Sequence, residues 1–136
     1  ATDLERVGDL ARNIAKSALR LAEKPPLAFP PKLQEVADGA RRLVKLALDS
    51  FVDADPAKAQ AVLDGDDRVD DDQERVVREA IAEIGAHPEL ISQQLDLILI
   101  AKHLERVADH ATNIAEDTIL ATQARNVKHA QKLGSR

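Results

Sequence analysis

A twelve-residue pattern that occurs twice confines this chain to helices. Leu104–Ala115 reads LERVADHATNIA, and Leu4–Ala15 reads LERVGDLARNIA, at an offset of 100 residues. In both copies apolar residues recur at three- and four-residue steps, and strand-type alternation is missing from the whole chain. Each copy also holds Glu-x-x-x-Asp: Glu5 with Asp9, and Glu105 with Asp109. Residues four apart lie on one helix face, one turn above the other, so each copy aims two carboxylates the same way. A pattern repeated at this distance marks a repeated structural unit. The chain therefore reads as one complete unit and the tail of another.

Punctuation divides the chain into four helical segments. The first covers about residues 2–23, and Pro25-Pro26 ends it, because proline disfavours helix in the residue before it. Residues 25–31 form a short stiff linker. The second helix runs over about 32–53, with Pro31 suited to the first helical position. Asp55-Pro56 starts the third, Asp as N-cap and Pro just inside. It extends to about Ile84, with Gly85 as a left-handed cap and a possible kink at Gly65. Pro88 opens the fourth, which reaches about Thr122. Its middle, Leu95 to Ala101, is apolar nearly all round, as in a helix buried between neighbours.

This pattern implies an all-α fold. Residues 32–122 form an antiparallel three-helix bundle, and residues 1–24 are the end of the last helix of a preceding bundle. The apolar stripe of that first helix (Leu4, Val7, Leu10, Ile14, Leu21) must be buried on the bundle or on a second molecule. Residues 123–136 carry Arg125, Lys128, Lys132 and Arg136 without an acid and read as a solvated basic tail, with Gly134-Ser135-Arg136 as a frayed end. Ala1 opens inside a helical pattern with neither cap nor initiating Met, as in a piece cut from a longer protein.

Composition narrows the function. The 136 residues amount to one domain, with an aliphatic core, since Phe29 and Phe51 are the only aromatics. Absence of Cys excludes disulfides and thiolate metal sites and fits a cytoplasmic setting. A net charge of −5 argues against nucleic-acid binding. No apolar run approaches the roughly 20 residues needed to span a bilayer, and there is no signal peptide.

The acids point to chemistry. Asp64–Glu74 reads DGDDRVDDDQE, and a charge run of this kind is usually a solvated face. A helical wheel advancing about 100° per residue divides it. With Asp66 at zero, the stripe of Ala59, Val62, Leu63, Val69, Val76, Val77, Ala80, Ile81 and Ile84 falls within about 80° of it. Asp70 lies about 40° away and Gln73 about −20°, whereas Asp67, Asp71 and Asp72 point outward. On the fourth helix Asp109 falls about 40° from Glu105, in a column shared with Ile91, Ile98 and Glu116.

Four inward acids on facing helices need relief from desolvation and mutual repulsion. Protonation, salt bridges from Arg106 and Lys102, or a bound multivalent cation would each supply it. Oxygen-rich clusters suit Mg, Ca, Mn or Fe, and carboxylate helices in bundles build dinuclear sites. His103 and His110 lie off the column and read as packed or surface residues. Asn113 reads as a hydrogen-bonding neighbour and Arg106 as a residue that orients an acid. No His sits three residues after Glu105, which disfavours a di-metal oxidase. No nucleophile is placed with a base, which disfavours a phosphatase.

The paired LERVGDLARNIA and HLERVADHATNIAED, with DGDDRVD on the preceding helix, resemble the PhoU family of phosphate-uptake regulators over about Leu4 to Thr122. The resemblance implies tandem three-helix bundles with metal clusters on carboxylates. Position by position, Asp66, Asp70, Glu105 and Asp109 match in the second bundle. Glu5 and Asp9 match in the first, whose partner helix this chain lacks. The metal would be a divalent or trivalent ion (Fe, Zn, Mn, Mg or Ca), in a cluster of one or more ions. The family's usual Gly before the Asp is Ala108 here, and its aromatics are largely aliphatic. Implied too is a non-enzymatic negative regulator linking a phosphate ABC transporter to a sensor histidine kinase, itself a homo-oligomer, dimeric, that meets the membrane only through its partners. The competing reading is a metal-free helical interaction module.

Overall fold

Asp55 shows how local chemistry sets the helix boundaries. Its Oδ1 accepts from the Ala57 and Lys58 amides at 2.9 and 3.3 Å, which satisfies two donors that the first helical turn leaves open. The structure, a computed structural model, describes residues 2–134. Four helices follow in order: α1 (Thr2–Ala22), α2 (Pro31–Asp53), α3 (Pro56–Ala86) and α4 (Ile91–Gly134), the last preceded by a 3₁₀ turn at Pro88–Leu90. Ser135 and Arg136, at the end of the basic tail, lie outside the described residues. No helix among the described residues is long and apolar enough to cross a membrane.

Helices α2, α3 and α4 form an up-down-up three-helix bundle. Its core holds Leu33, Val36, Val62, Val76 and Leu97, each at most 2 % exposed. Full burial of such side chains is worth about 1.5–3 kcal/mol apiece, which is what holds the helices together. Glycine sets the closest approach. A Cβ on Gly39 would stand 2.8 Å from a Val69 methyl, and one on Gly65 would stand 3.0 Å from Leu43. Gly65 is thus where α2 nests against α3, and α3 runs unbroken through it.

Two local expectations differ from the structure. Gly85 has no positive φ, and α3 passes it to end at Ala86. The left-handed cap falls instead on Ala54, φ 49°, after α2. The tail after Thr122 continues α4 to Gly134, as its run of good helix formers allows.

Helix α1 runs antiparallel to α4, with Asp3 beside His110 and Arg20 beside Asp96, and among the described residues it packs on no other helix. Leu10 and Ser17 are its only fully buried residues among those described. A polar clasp secures its far end: buried Asp96 accepts from Lys24 at 2.5 Å and from Arg20 at 3.3 Å. Gln93 donates to the Pro25 carbonyl at 3.3 Å. Between α1 and α2 an open apolar groove of about 690 Å³ remains, floored by Leu104 and Val107 and walled by Val7, Ile14, Val44 and Leu48. The α1 stripe is therefore covered on its α4 side only.

Candidate metal centre

The carboxylates of α3 and α4 line one seam between these helices, at its solvent edge. Asp66, Asp70 and Glu105 are half-buried, and Asp109 is exposed. This corrects the inward placement read from the wheel. The buried positions of α3 are Ala59, Val62, Val69, Gln73, Val76 and Ala80. They centre about 40° from Asp66, toward the side where Val69 meets α2. Asp66 and Asp70 thus occupy the flank of the stripe. On α4, packing against α1, α2 and α3 widens the buried arc to about 160°, all on one side of Glu105. Ile91, in the column shared with Glu105, is 49 % exposed.

The outward acids separate as the wheel requires in two cases of three. Asp67 and Asp71 are exposed. Asp72 turns instead toward α2, its side chain 15 % exposed, with Lys32 at 3.5 Å and Arg68 at 3.9 Å. Glu116 and Asn113 are exposed.

Electrostatics bind the seam acids into one group. The carboxyls of Asp66, Glu105 and Asp109 are all raised above the ordinary range. Burial is the first cause for each, since desolvation penalises the charged form. Next comes repulsion: Asp109, Asp70 and Asp67 act on Asp66, and Asp70 acts on Asp109. For Glu105, Asp109 raises and Lys102 partly offsets. These pairings also give the register, with Asp66 and Asp70 of α3 opposite Asp109 and Glu105 of α4.

Positive charge does not answer the repulsion. Among the described residues the one ion pair to these four acids is Lys102–Glu105, long at 3.9 Å and half open to solvent. Arg106 is exposed and makes no ion pair; it acts on Glu105 and Asp109 only at a distance. The salt-bridge network that would neutralise the acids without a cation is therefore absent among the described residues.

The donor set suits a hard cation. It is all oxygen and already crowded with negative charge. The acids do not yet converge: no three His, Asp or Glu side chains among the described residues stand close enough to hold one ion.

His110 acts on Asp109 at a distance, as Arg106 does, but its ring is engaged elsewhere. His110 Nδ1 lies 2.8 Å from Asp3 Oδ1 and ties α1 to α4. His103 has a buried Nδ1 without a partner, and burial, aided by Arg106, lowers its pKa. Glu5 and Asp9, the acids of the first copy, are exposed on α1. Asp9 is engaged by Arg12 of its own helix. Neither acts on the seam acids. Asp96 escaped the sequence reading. Its only signal was an acid inside the apolar run from Gln93 to Ala101, where an unpaired charge is intolerable.

Comparison with known proteins follows the same residues. The family model described as the PhoU domain matches residues 33–118. A relative from Caulobacter vibrioides, named phosphate-specific transport system accessory protein PhoU homolog, is 37 % identical over 114 residues, covering 83 % of this chain and 50 % of the relative. A relative of the same name from Pseudomonas putida is 34 % identical, covering 93 % of this chain and 50 % of its own. The crystal structure of PhoU from Pseudomonas aeruginosa superposes with a TM-score of 0.87 at 32 % identity, over 90 % of this chain and 59 % of that one. The chain thus spans about half the length of the curated relatives it matches.

Proposed function

The chain belongs to the PhoU family, and from that membership we propose that it serves the regulation of phosphate transport through a cation-binding seam between α3 and α4. Its relatives are named accessory proteins of a phosphate-specific transport system. The observation that carries the reading is the group of Asp66, Asp70, Glu105 and Asp109, whose mutual repulsion goes almost unanswered by protein cations. A divalent or trivalent ion (Mn, Mg, Ca, Fe or Zn), or a cluster of them, would supply the missing positive charge when bound.

The protein's own residues do the rest. Asp66 and Asp70 hold one side of the seam, and Glu105 and Asp109 hold the other. Drawing them together clamps α3 to α4 and sets the surface around them. That surface is the adaptor face, meeting a phosphate ABC transporter and a sensor histidine kinase, with negative regulation as the outcome. Contact with the membrane runs through those partners. Self-association as a dimer belongs to the same reading, supported by exposed Leu4 and Leu19 on α1. No catalytic step is assigned.

Metal analysis of protein purified without chelator tests the proposal. Bound metal that disappears in an Asp66→Asn/Glu105→Gln variant supports it. Protein that carries no metal, and whose melting is the same with and without added Mn2+, Ca2+ or Fe3+, leaves the metal-free interaction module in its place.

A further inference from the structure

Prolines keep a gap open at one end of the bundle. Pro25, Pro26 and Pro30 hold residues 25–30 out of helix, because each ring fixes φ and biases the residue before it toward extended backbone. The linker is pinned at both ends. The Pro25 carbonyl accepts from Gln93 at 3.3 Å, and the Pro30 carbonyl accepts from the Leu33 amide at 3.0 Å. Between the linker, the last turns of α3 and the start of α4 lies a cavity of about 630 Å³. Leu27, Phe29, Ala80 and Leu90 give it apolar walls. It lies about 20 Å beyond Asp70 along α3 and shares no residue with the seam.

Gln94 lines this space. The residue is 4 % exposed, and its side-chain amide makes no hydrogen bond among the described residues. A buried amide without a partner is costly, and a leucine there would avoid the cost. The rim is acidic. Glu79 and Glu83 stand one turn apart on the cavity side of α3, with no ion pair among the described residues. No Lys or Arg lines the cavity, and His87, which does, has its Nδ1 3.4 Å from Glu89 Oε1. The negative end of the α3 dipole lies on the same side. Apolar walls, an unpaired buried amide and unanswered negative charge thus meet in one space.

We propose that this cavity binds a guanidinium group carried on an apolar stem, a chemistry shared by free arginine derivatives and by an arginine side chain of another protein. The guanidinium is planar, always charged, and donates hydrogen bonds in a fixed fork. Glu79 and Glu83 answer its charge, and the Gln94 carbonyl accepts one of its N–H groups. The stem is covered by Leu27 and Leu90, and the flat face suits the ring of Phe29, which is 56 % exposed. An ammonium would meet the charge and leave that flat match unused. The neutral isostere citrulline would meet the shape and leave the acids unanswered. A linker stiffened by proline keeps the space preformed, so little ordering is lost on binding.

Titration of isotope-labelled protein with N-acetyl-arginine amide, followed by NMR, tests the assignment. The resonances of the Gln94 side-chain amide and of Phe29 should shift saturably. The lysine and citrulline analogues should bind about tenfold more weakly. Glu79→Gln/Glu83→Gln, at exposed positions of α3, should weaken binding about tenfold. Gln94→Leu should weaken it about fivefold while melting no lower than the parent. Absence of saturable shifts at these residues in the millimolar range overturns the proposal. So does equal binding of the citrulline or lysine analogue, or unchanged binding by Glu79→Gln/Glu83→Gln. Should Gln94→Leu not fold, the carboxylate pair decides. Two further arms separate the sources, and both sustain the site: tighter binding of a short peptide with a central arginine than of agmatine assigns it to a partner chain, and equal binding assigns it to a free small molecule.

Discussion

The two copies of LERVxDxAxNIA share their acids and differ in what faces them. On α4, Glu105 and Asp109 look across a seam at Asp66 and Asp70, and all but one of the resulting repulsions lack a nearby cation. On α1, Glu5 and Asp9 face solvent with no acidic helix opposite. One substitution sharpens the contrast. Arg12 of the first copy pairs with Asp9, while its counterpart Thr112 turns its hydroxyl back to the Asp109 carbonyl at 2.7 Å. Identical carboxylates thus become a solvated pair in one copy and a charged seam in the other. A helix motif specifies which groups are offered. The neighbouring helix decides what they must bind.

The comparison breaks most completely if α1 is released. Asp96→Ala removes the buried anion that Lys24 and Arg20 clasp, and should cost about 3 kcal/mol in thermal or urea unfolding. Mn2+ affinity of the surviving α3/α4 seam should stay unchanged, because that seam does not use α1. Next in size, Asp66→Asn/Asp70→Asn should weaken Mn2+ binding about a hundredfold, whereas Glu5→Gln/Asp9→Asn should leave it as it was. Equal losses in both variants would abolish the distinction between the copies.

The pH dependence separates the copies as well. The carboxyls of Asp66, Glu105 and Asp109 are raised in the folded chain, so the folded state binds protons that the unfolded state does not. Metal-free stability should therefore fall as pH climbs from the ordinary carboxylate range through the raised values. The penalty is complete above them and vanishes below the ordinary range. Asp66→Asn/Asp109→Asn should flatten this slope in melts at several pH values. Mn2+ affinity should run the other way and weaken as pH drops through the same window, since protons compete for the same oxygens.

Smaller effects refine the picture. Thr112→Arg transfers the solution of the first copy to the second, and a new surface pair to Asp109 should weaken Mn2+ binding about twofold. Asp67→Ala, on the exposed side of α3, should change stability by less than about 0.5 kcal/mol.

Much of the fold was legible because its signals are local. Asp55-Pro56 caps and opens α3 as its chemistry requires. Pro31 opens α2. The apolar stripes marked four helices, and the acids of the seam could be named residue by residue. Depth was not legible. A wheel centred on Asp66 put it in the middle of a buried stripe, but α2 pulls that stripe toward Val69 and Val76 and leaves Asp66 at the edge. Asp72 looked solvated and lies against α2. Gly65 looked like a kink and is a close contact, because nothing in its own neighbourhood reveals Leu43 opposite.

The chain by itself determined helix, turn and the order of the acids, since hydrogen-bonding caps, proline geometry and apolar period act over a few residues. Tertiary structure alone decided which acids share a seam, that Asp96 rather than Glu5 is buried on the α1 side, and that Gln73 is dry. Those outcomes depend on which helices meet and at what rotation. Desolvation and repulsion are set by neighbours brought from tens of residues away.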